Sequence, residues 1–302
     1  MKVLVTDSIH EDGVKALKEF ADVQVATDLS REELVKRVGD FDVLVVRSAT
    51  KVTKDVLKAA GNLKLVVRAG VGLDNVDVDA AEKAGVKVAN TPGAPTIAVA
   101  ELVMGLMLAW ARNISRADAG MKHGKWEKSE LEGTELRKKT LGIAGTGRVG
   151  QAVGRRAKAF GMDLLLYDVK EVPGFAEEVG GRYVDLETLL RESDYVTLHV
   201  PLIPQTEHMM GGKEFGLMKS TAVLINTARG EVVDEAALID ALKNKKISGA
   251  CLDVYEQEPP EGSPLLELPN VILTPHLGAS TKEAQREAAV LAAKKIKEEF
   301  AQ

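Results

Sequence analysis

Near-continuous runs of small and branched apolar residues at Val3 to Thr6, Val43 to Val46, Leu65 to Val67 and Val86 to Ala89 have the pattern of strands buried on both faces. Between them, Gly13 to Phe20, Glu32 to Val38, Lys54 to Ala60 and Asp79 to Ala84 place apolar residues at helical spacing. Steady alternation of this kind predicts a parallel α/β unit. A second, longer series starts at Leu141 to Ala144 and continues through Leu164 to Tyr167, Val196 to Val200, Ala222 to Asn226, Gly249 to Asp253 and Val271 to Thr274. Between the two series, "TPGAPTIAVAELVMGLMLAWARNISRADAGM" sets two prolines before a long apolar stretch. That pattern predicts one helix of roughly twenty residues or more, connecting two domains. Lys282 to Phe300 reads as a last amphipathic helix. If it packs back on the first series, the expected division is a discontinuous domain, 1–96 with 282–302, and a second domain, 97–281, with a ligand cleft between them.

The chain, at 302 residues, is long enough for two cores. Its formal charge of −5 argues against a nucleic-acid or anionic-membrane partner. The single cysteine, Cys251, excludes a disulfide framework and fits a reducing, cytoplasmic setting, where "SGACLDV" reads as a buried strand. "MKVLVTDS" shows no signal peptide, and the longest apolar run, Ile97 to Ala111, is interrupted by Glu101 and too short to span a bilayer. No cluster of Cys, His or carboxylates has metal-ligand spacing, so no metal is expected.

"LGIAGTGRVGQAVGRRAKAFGMDLLLYD" changes the picture, because Gly145, Gly147 and Gly150 fall in the G-x-G-x-x-G spacing between a strand and a helix. The first glycine permits a tight turn, the second lets backbone approach a pyrophosphate and the third lets helix and strand pack closely, with the helix N-terminus facing the anion. Asp168 ends the next strand, where a carboxylate accepts the ribose hydroxyls of NAD and repels the extra phosphate of NADP. Catalytic groups then belong at carboxyl ends of strands in this second series. Arg229, Glu258 and His276 follow three of them. Hydride exchange with a 2-hydroxy acid needs a cation to polarise the carbonyl and a group to move the hydroxyl proton, and arginine and histidine supply these. Glu258 orients the imidazole and favours its charged form.

These residues resemble a known family. "NTARGEVVDEAAL", "DVYEQEPP" and "TPHLGAST" are similar to the signature blocks of the D-isomer-specific 2-hydroxyacid dehydrogenases. "VRSATKVT", "RAGVGLDNVD", "NTPGAPT" and "MKHGKWEKSELEGTEL" look most like the branch of that family that oxidises 3-phosphoglycerate. The resemblance implies an α/β fold with a Rossmann-type doubly wound NAD domain and a discontinuous flavodoxin-like substrate domain. It supports catalytic roles for Arg229, Glu258 and His276. It also implies cofactor contacts at Gly145, Gly147, Arg148, Val149, Gly150, Asp168, Val200, Pro201, Thr206, Thr227, Ala228, Asp253 and Gly278, with Asp253 holding the nicotinamide amide. The amides of Val71 and Gly72 would bind the substrate carboxylate, Arg47 and Ser48 would face the phosphate, and Lys128 would reach a phosphate from the partner subunit of a homodimer or higher homo-oligomer. The expected reaction is NAD-dependent oxidation of D-3-phosphoglycerate, the first step of serine biosynthesis, on a phosphorylated small-molecule partner. The alternatives are reduction of glyoxylate or hydroxypyruvate and, from another class, an NAD-sensing corepressor-like binding protein. Two departures from the family pattern stand out. Thr146 replaces a bulkier apolar residue between the first two glycines, and Ala49 stands where some relatives have a second arginine. The chain ends at Gln302 without the C-terminal regulatory domain of longer relatives, so feedback through such a domain is not expected.

Overall fold

The structure is a computed structural model and describes residues 1–300. The chain divides into two compact units, Met1–Thr96 together with the segment that begins at Ala279, and Ile97–Gly278.

In the first unit, β1 (Lys2–Val5), α1 (Glu11–Lys18), β2 (Asp22–Val25), α2 (Arg31–Arg37), β3 (Val43–Val46), α3 (Lys54–Ala59), β4 (Leu65–Arg68), α4 (Val78–Lys83) and β5 (Lys87–Asn90) alternate along the chain. Their strands form one parallel sheet in the order β2-β1-β3-β4-β5, the flavodoxin-like order. The apolar runs face both ways because both faces are covered. Leu4, Leu44, Val46 and Val66 pack into one core, while Val3, Val5, Val43, Val45 and Val67 pack into another with Ala288, Ala292 and Ile296 of the last helix. Strand β2 is absent from the sequence reading. It lies at the sheet edge, and three of its four residues, Asp22, Gln24 and Val25, are exposed, so it lacks the apolar run that marks the others.

In the second unit the long apolar stretch is two helices, α5 (Thr96–Ala111) and α6 (Ile114–Lys122), bent by 65° at the break. This corrects the single continuous helix expected from the sequence. Asn113 adopts a left-handed backbone with φ 53°, and its amide reaches the carbonyl of Glu132 at 3.3 Å. No single helix among the described residues is long and apolar enough to cross a membrane. Next come β6 (Thr140–Ala144), α7 (Arg148–Ala159), β7 (Asp163–Tyr167), α8 (Phe175–Val179), β8 (Arg182–Tyr183), α9 (Leu186–Glu192), β9 (Tyr195–Leu198), α10 (Gly212–Leu217), β10 (Val223–Asn226), α11 (Glu235–Lys243), β11 (Gly249–Leu252) and β12 (Val271–Leu273). The parallel sheet runs β12-β11-β10-β9-β6-β7-β8. Outward from β6 this is the doubly wound dinucleotide-binding order with one added edge strand, and its direction reverses between β6 and β9. The chain closes with α12 (Lys282–Phe300) on the first unit, where Ala288 and Ala292 allow close packing against the sheet and α1.

Each sheet therefore has a point where strand order switches, β1/β3 in the first and β6/β9 in the second. Ligand sites in open α/β sheets lie at the carboxyl ends of strands beside such a point.

Candidate active site

The glycine turn lies between β6 and α7, at the switch point of the second sheet. Gly145 has φ +97°, and a Cβ there would sit 2.6 Å from the carbonyl carbon of His199. Gly150 is closer still to its neighbour, since a Cβ would stand 2.0 Å from the carbonyl oxygen of Gly145. Gly147 differs: a Cβ there would meet no atom within 4 Å. The fold does not need that glycine, and the N-terminus of α7 beside it carries no side-chain cap. Open amides facing uncrowded space fit the pyrophosphate of a dinucleotide.

Thr146 does more than fill space in the turn. Its amide and hydroxyl donate to one carboxylate oxygen of Asp168 at 2.6 and 3.1 Å, and the same hydroxyl accepts from Tyr183 at 3.1 Å. The turn and the acid at the tip of β7 are thus one network. Its participants Thr146 and Tyr183 carry no local sequence signal for the role. His199, after β9, sits behind the turn. Its ring bonds to the Thr197 hydroxyl at 3.0 Å, and burial lowers its pKa to about 3, so the ring is neutral and suited to a backing role. In the following loop, Thr206 accepts from the amide of Ile203 and donates to the carbonyl of Pro201 at 2.5 Å, which fixes the Val200-Pro201 turn.

Three loops at the carboxyl ends of β10, β11 and β12 bring the candidate catalytic groups together. Glu258 Oε2 lies 2.7 Å from His276 Nδ1, and its other oxygen accepts from the amide of Tyr255 at 3.2 Å. The hydrogen bond to Glu258 raises the pKa of His276 against the opposing effect of burial. Burial would raise the Glu258 carboxyl, but the His276 bond and charge and the Tyr255 amide outweigh it and hold it below the usual carboxylate range. Arg229 contributes to both, as a positive charge that lowers Glu258 and restrains His276. Its loop is held by Asn226, which donates to the carbonyl of Arg229 at 2.8 Å and accepts from the amide of Ala228 at 3.0 Å. Gly230 then passes against the backbone of Tyr255, where a Cβ would stand 1.9 Å from the carbonyl carbon.

Asp253, 1% exposed, accepts from Leu277 N at 2.7 Å, Gly278 N at 2.8 Å and the Thr274 hydroxyl at 2.5 Å. His276 donates its own amide to the carbonyl of Asp253 and adopts φ +52°. The carboxylate is therefore the clamp on the histidine loop, in addition to any ligand it meets. The hydroxyl of Thr227 is buried with no hydrogen-bond partner among the described residues, a polar atom that a cofactor group would satisfy. Val149 is half-buried, while Arg148 opens α7 and is exposed.

In the first unit, Arg47 follows β3 at the other switch point. Its loop is held from both sides. Buried Asp7 accepts from the amides of Arg47 and Thr50 at 2.5 and 3.0 Å, and Asn75 donates to the carbonyls of the same two residues at 2.8 and 2.6 Å. One guanidinium nitrogen of Arg47 donates to Ser8 O at 3.2 Å, and Ser48 is exposed beside it. Val71 and Gly72 lie in the loop after β4. Lys128 is exposed in a short helical turn, Lys128–Glu130. Among the described residues no group of three or more His, Cys, Asp or Glu side chains gathers to hold a metal ion. Cys251 is buried in β11, where burial pushes the thiol up to about 12 and leaves it unreactive.

Residues 104–278 match the family described as D-isomer specific 2-hydroxyacid dehydrogenase, NAD binding domain. The chain is 53% identical over 298 residues to the D-3-phosphoglycerate dehydrogenase of Methanocaldococcus jannaschii, covering 98% of this chain and 57% of that protein. It thus spans little more than half the length of that relative. It is 47% identical to the hydroxypyruvate reductase of Thermotoga maritima, with 99% of this chain and 98% of the other covered. Among solved structures, the glyoxylate reductase of Paecilomyes thermophila superposes with a TM-score of 0.91 at 31% identity, covering all of this chain and 96% of the other. With the glycine turn, its linked acid and the histidine-glutamate pair falling in or next to the matched segment, the chain belongs to the D-isomer-specific 2-hydroxyacid dehydrogenases, and its second unit is the family's NAD-binding domain.

Proposed function

We propose that the protein oxidises the C2 hydroxyl of D-3-phosphoglycerate to 3-phosphohydroxypyruvate with NAD. The observation that carries the choice of substrate is Arg47, a cationic residue whose backbone Asp7 and Asn75 hold at the switch point of the first sheet. A guanidinium whose backbone is locked from both sides is preorganised to read a phosphate, with Ser48 beside it. The 53% identity to the M. jannaschii phosphoglycerate dehydrogenase supports the same reading. Residues 1–96 and 282–302 then form the substrate-binding part and 97–281 the cofactor-binding part.

Each unit has its share of the chemistry. In the first, the amides of Val71 and Gly72 bind the substrate carboxylate. In the second, Arg229 polarises the C2 oxygen. His276 takes the hydroxyl proton on Nε2, because Nδ1 is occupied by Glu258. NAD, when bound, accepts the hydride. In the reverse direction the Glu258 bond favours the imidazolium, which returns the proton to the carbonyl oxygen. The glycine turn, Arg148, Val149, the Val200-Pro201 turn, Thr206, Thr227, Ala228, Asp253 and Gly278 are the proposed cofactor contacts, with Asp168 selecting NAD.

A homodimer is also proposed. Helix α6 has no buried residue, Ile114 and Met121 on it are exposed, and Trp126 is 78% exposed in the segment that follows, next to Lys128. Apolar surface of this kind fits a second copy of the chain, from which Lys128 would reach the substrate phosphate. A second substrate reading, reduction of hydroxypyruvate, rests on the T. maritima relative, which this chain matches end to end.

Arg47→Ala separates the two readings. It should raise KM for 3-phosphoglycerate by about tenfold or more, the cost of a lost charge-assisted contact, and leave turnover of an unphosphorylated 2-hydroxy acid and NADH binding nearly unchanged. Equal losses in kcat/KM for phosphorylated and unphosphorylated substrates would put the hydroxypyruvate reading ahead.

A further inference from the structure

The loop after β4 is shaped by two neighbours on β5 and just beyond it. Arg68 and Asn90, the last residues of β4 and β5, are paired in the parallel ladder. Past that pair β4 ends, and the Asn90 side chain donates Nδ2 to the carbonyl of Val71 at 2.5 Å. Thr91, fully buried, donates its amide to the carbonyl of Gly70 at 2.8 Å and its hydroxyl to the same oxygen at 3.3 Å. Two consecutive carbonyls are therefore tied to the same side.

The peptide units concerned are trans, since Glu258-Pro259 is the cis bond among the described residues. In a trans unit the C=O and the following N–H point in opposite directions. Fixing the carbonyls of Gly70 and Val71 thus turns the N–H groups of Val71 and Gly72 away from Asn90 and Thr91. Neither amide has a protein acceptor among the described residues. Val71 is 39% exposed and Gly72 is half-buried, so the loop lies at the surface of its unit. Two adjacent outward N–H groups make a concave site for an anion with two oxygens.

We propose that Asn90, assisted by Thr91, is a positioning residue for the substrate carboxylate, holding the two donor amides of Val71 and Gly72 in register. This rests on the reading above in which those amides bind the carboxylate. Asparagine suits the position because it presents a donor to the Val71 carbonyl without charge. An aspartate there would set a lone pair against that carbonyl and a negative charge behind a carboxylate site.

The test uses NADH-dependent reduction of hydroxypyruvate and of 3-phosphohydroxypyruvate, with oxalate as a non-reacting carboxylate inhibitor. Asn90→Ala should raise KM for both substrates and the inhibition constant of oxalate by about tenfold, the scale of one lost hydrogen bond that supports a charged ligand. The change in kcat should be smaller, and KM for NADH should stay at the wild-type value. Asn90→Asp, nearly the same shape, should be worse than Asn90→Ala for all three carboxylates. Thr91→Val keeps the backbone bond to Gly70 and should cost only about two- to threefold, as for one neutral hydrogen bond. Substrate KM and oxalate inhibition within twofold of wild type in Asn90→Asp would overturn the proposal, as would a loss confined to kcat or to KM for NADH. Failure of the phosphate reading looks different. There, Arg47→Ala strikes both substrates alike or hydroxypyruvate is preferred outright, while the Asn90 effect on both substrates persists.

Discussion

The three glycines of the turn make a graded test, because their surroundings differ. At Gly150 an added Cβ would stand 2.0 Å from a backbone oxygen and 3.3 Å from Ile143 Cγ2, and no rotamer change can relieve the first contact. Gly150→Ala should therefore carry the overpacking penalty of about 1–3 kcal/mol. For a domain of this size that lowers Tm by roughly 2–12 °C. At Gly147 the φ of −65° suits any residue, and the surrounding 4 Å is clear. Gly147→Ala should melt within about 1 °C of wild type, since small surface changes stay within a few tenths of a kcal/mol. Its cost should fall on the ligand, because a methyl group there intrudes on the space before the open amides of α7. NADH affinity should drop about tenfold or more, equivalent to about 1.4 kcal/mol. Circular-dichroism melting without cofactor and NADH fluorescence titration read the two effects separately. Wild-type NADH affinity in Gly147→Ala would refute the assignment of this turn to the pyrophosphate.

His276→Asn should lower kcat by about 10² to 10⁴, the usual contribution of general acid-base catalysis, with little change in NADH affinity. A near-normal kcat would remove the proton-transfer role. Glu258→Gln should be milder and should show in the pH profile. The Glu258 bond raises the pKa of His276, and oxidation needs the neutral ring, so removing the charge lowers that pKa and moves the acidic limb of kcat/KM to lower pH. A limb that stays put or moves up contradicts the pairing. Asp168→Ala should lower the ratio of kcat/KM with NAD to that with NADP. Because Asp168 also holds the amide of Thr146, KM for NAD should rise as well, and an unchanged ratio would show that the acid does not read the ribose.

Much of the fold is written in short-range pattern, and the exceptions have local causes. Buried strands such as Val43–Val46 announce themselves because every residue is apolar and fully covered. β2 and the two-residue β8 escape notice, since one is mostly exposed at a sheet edge and the other is too short to show a period. The break between α5 and α6 is invisible in hydropathy because it depends on the left-handed backbone of one asparagine. At the site, residue types that do chemistry could be read at strand ends, and the structure brings Glu258 and His276 together. The residues that hold those groups in place could not. Asp7 bonds to Arg47 across 40 positions, and Asp253 and Asn226 serve their loops through backbone contacts that leave no distinguishing mark in the sequence. Thr146, which looks like a minor packing change, proves to link the turn, Asp168 and Tyr183.

The most direct test of the proposed activity is a steady-state comparison of 3-phosphohydroxypyruvate, hydroxypyruvate, glyoxylate and pyruvate as substrates with NADH. A phosphate contact by a fixed arginine should give 3-phosphohydroxypyruvate the highest kcat/KM, by about tenfold or more over hydroxypyruvate. A kcat/KM for hydroxypyruvate or glyoxylate equal to or above that value would contradict it.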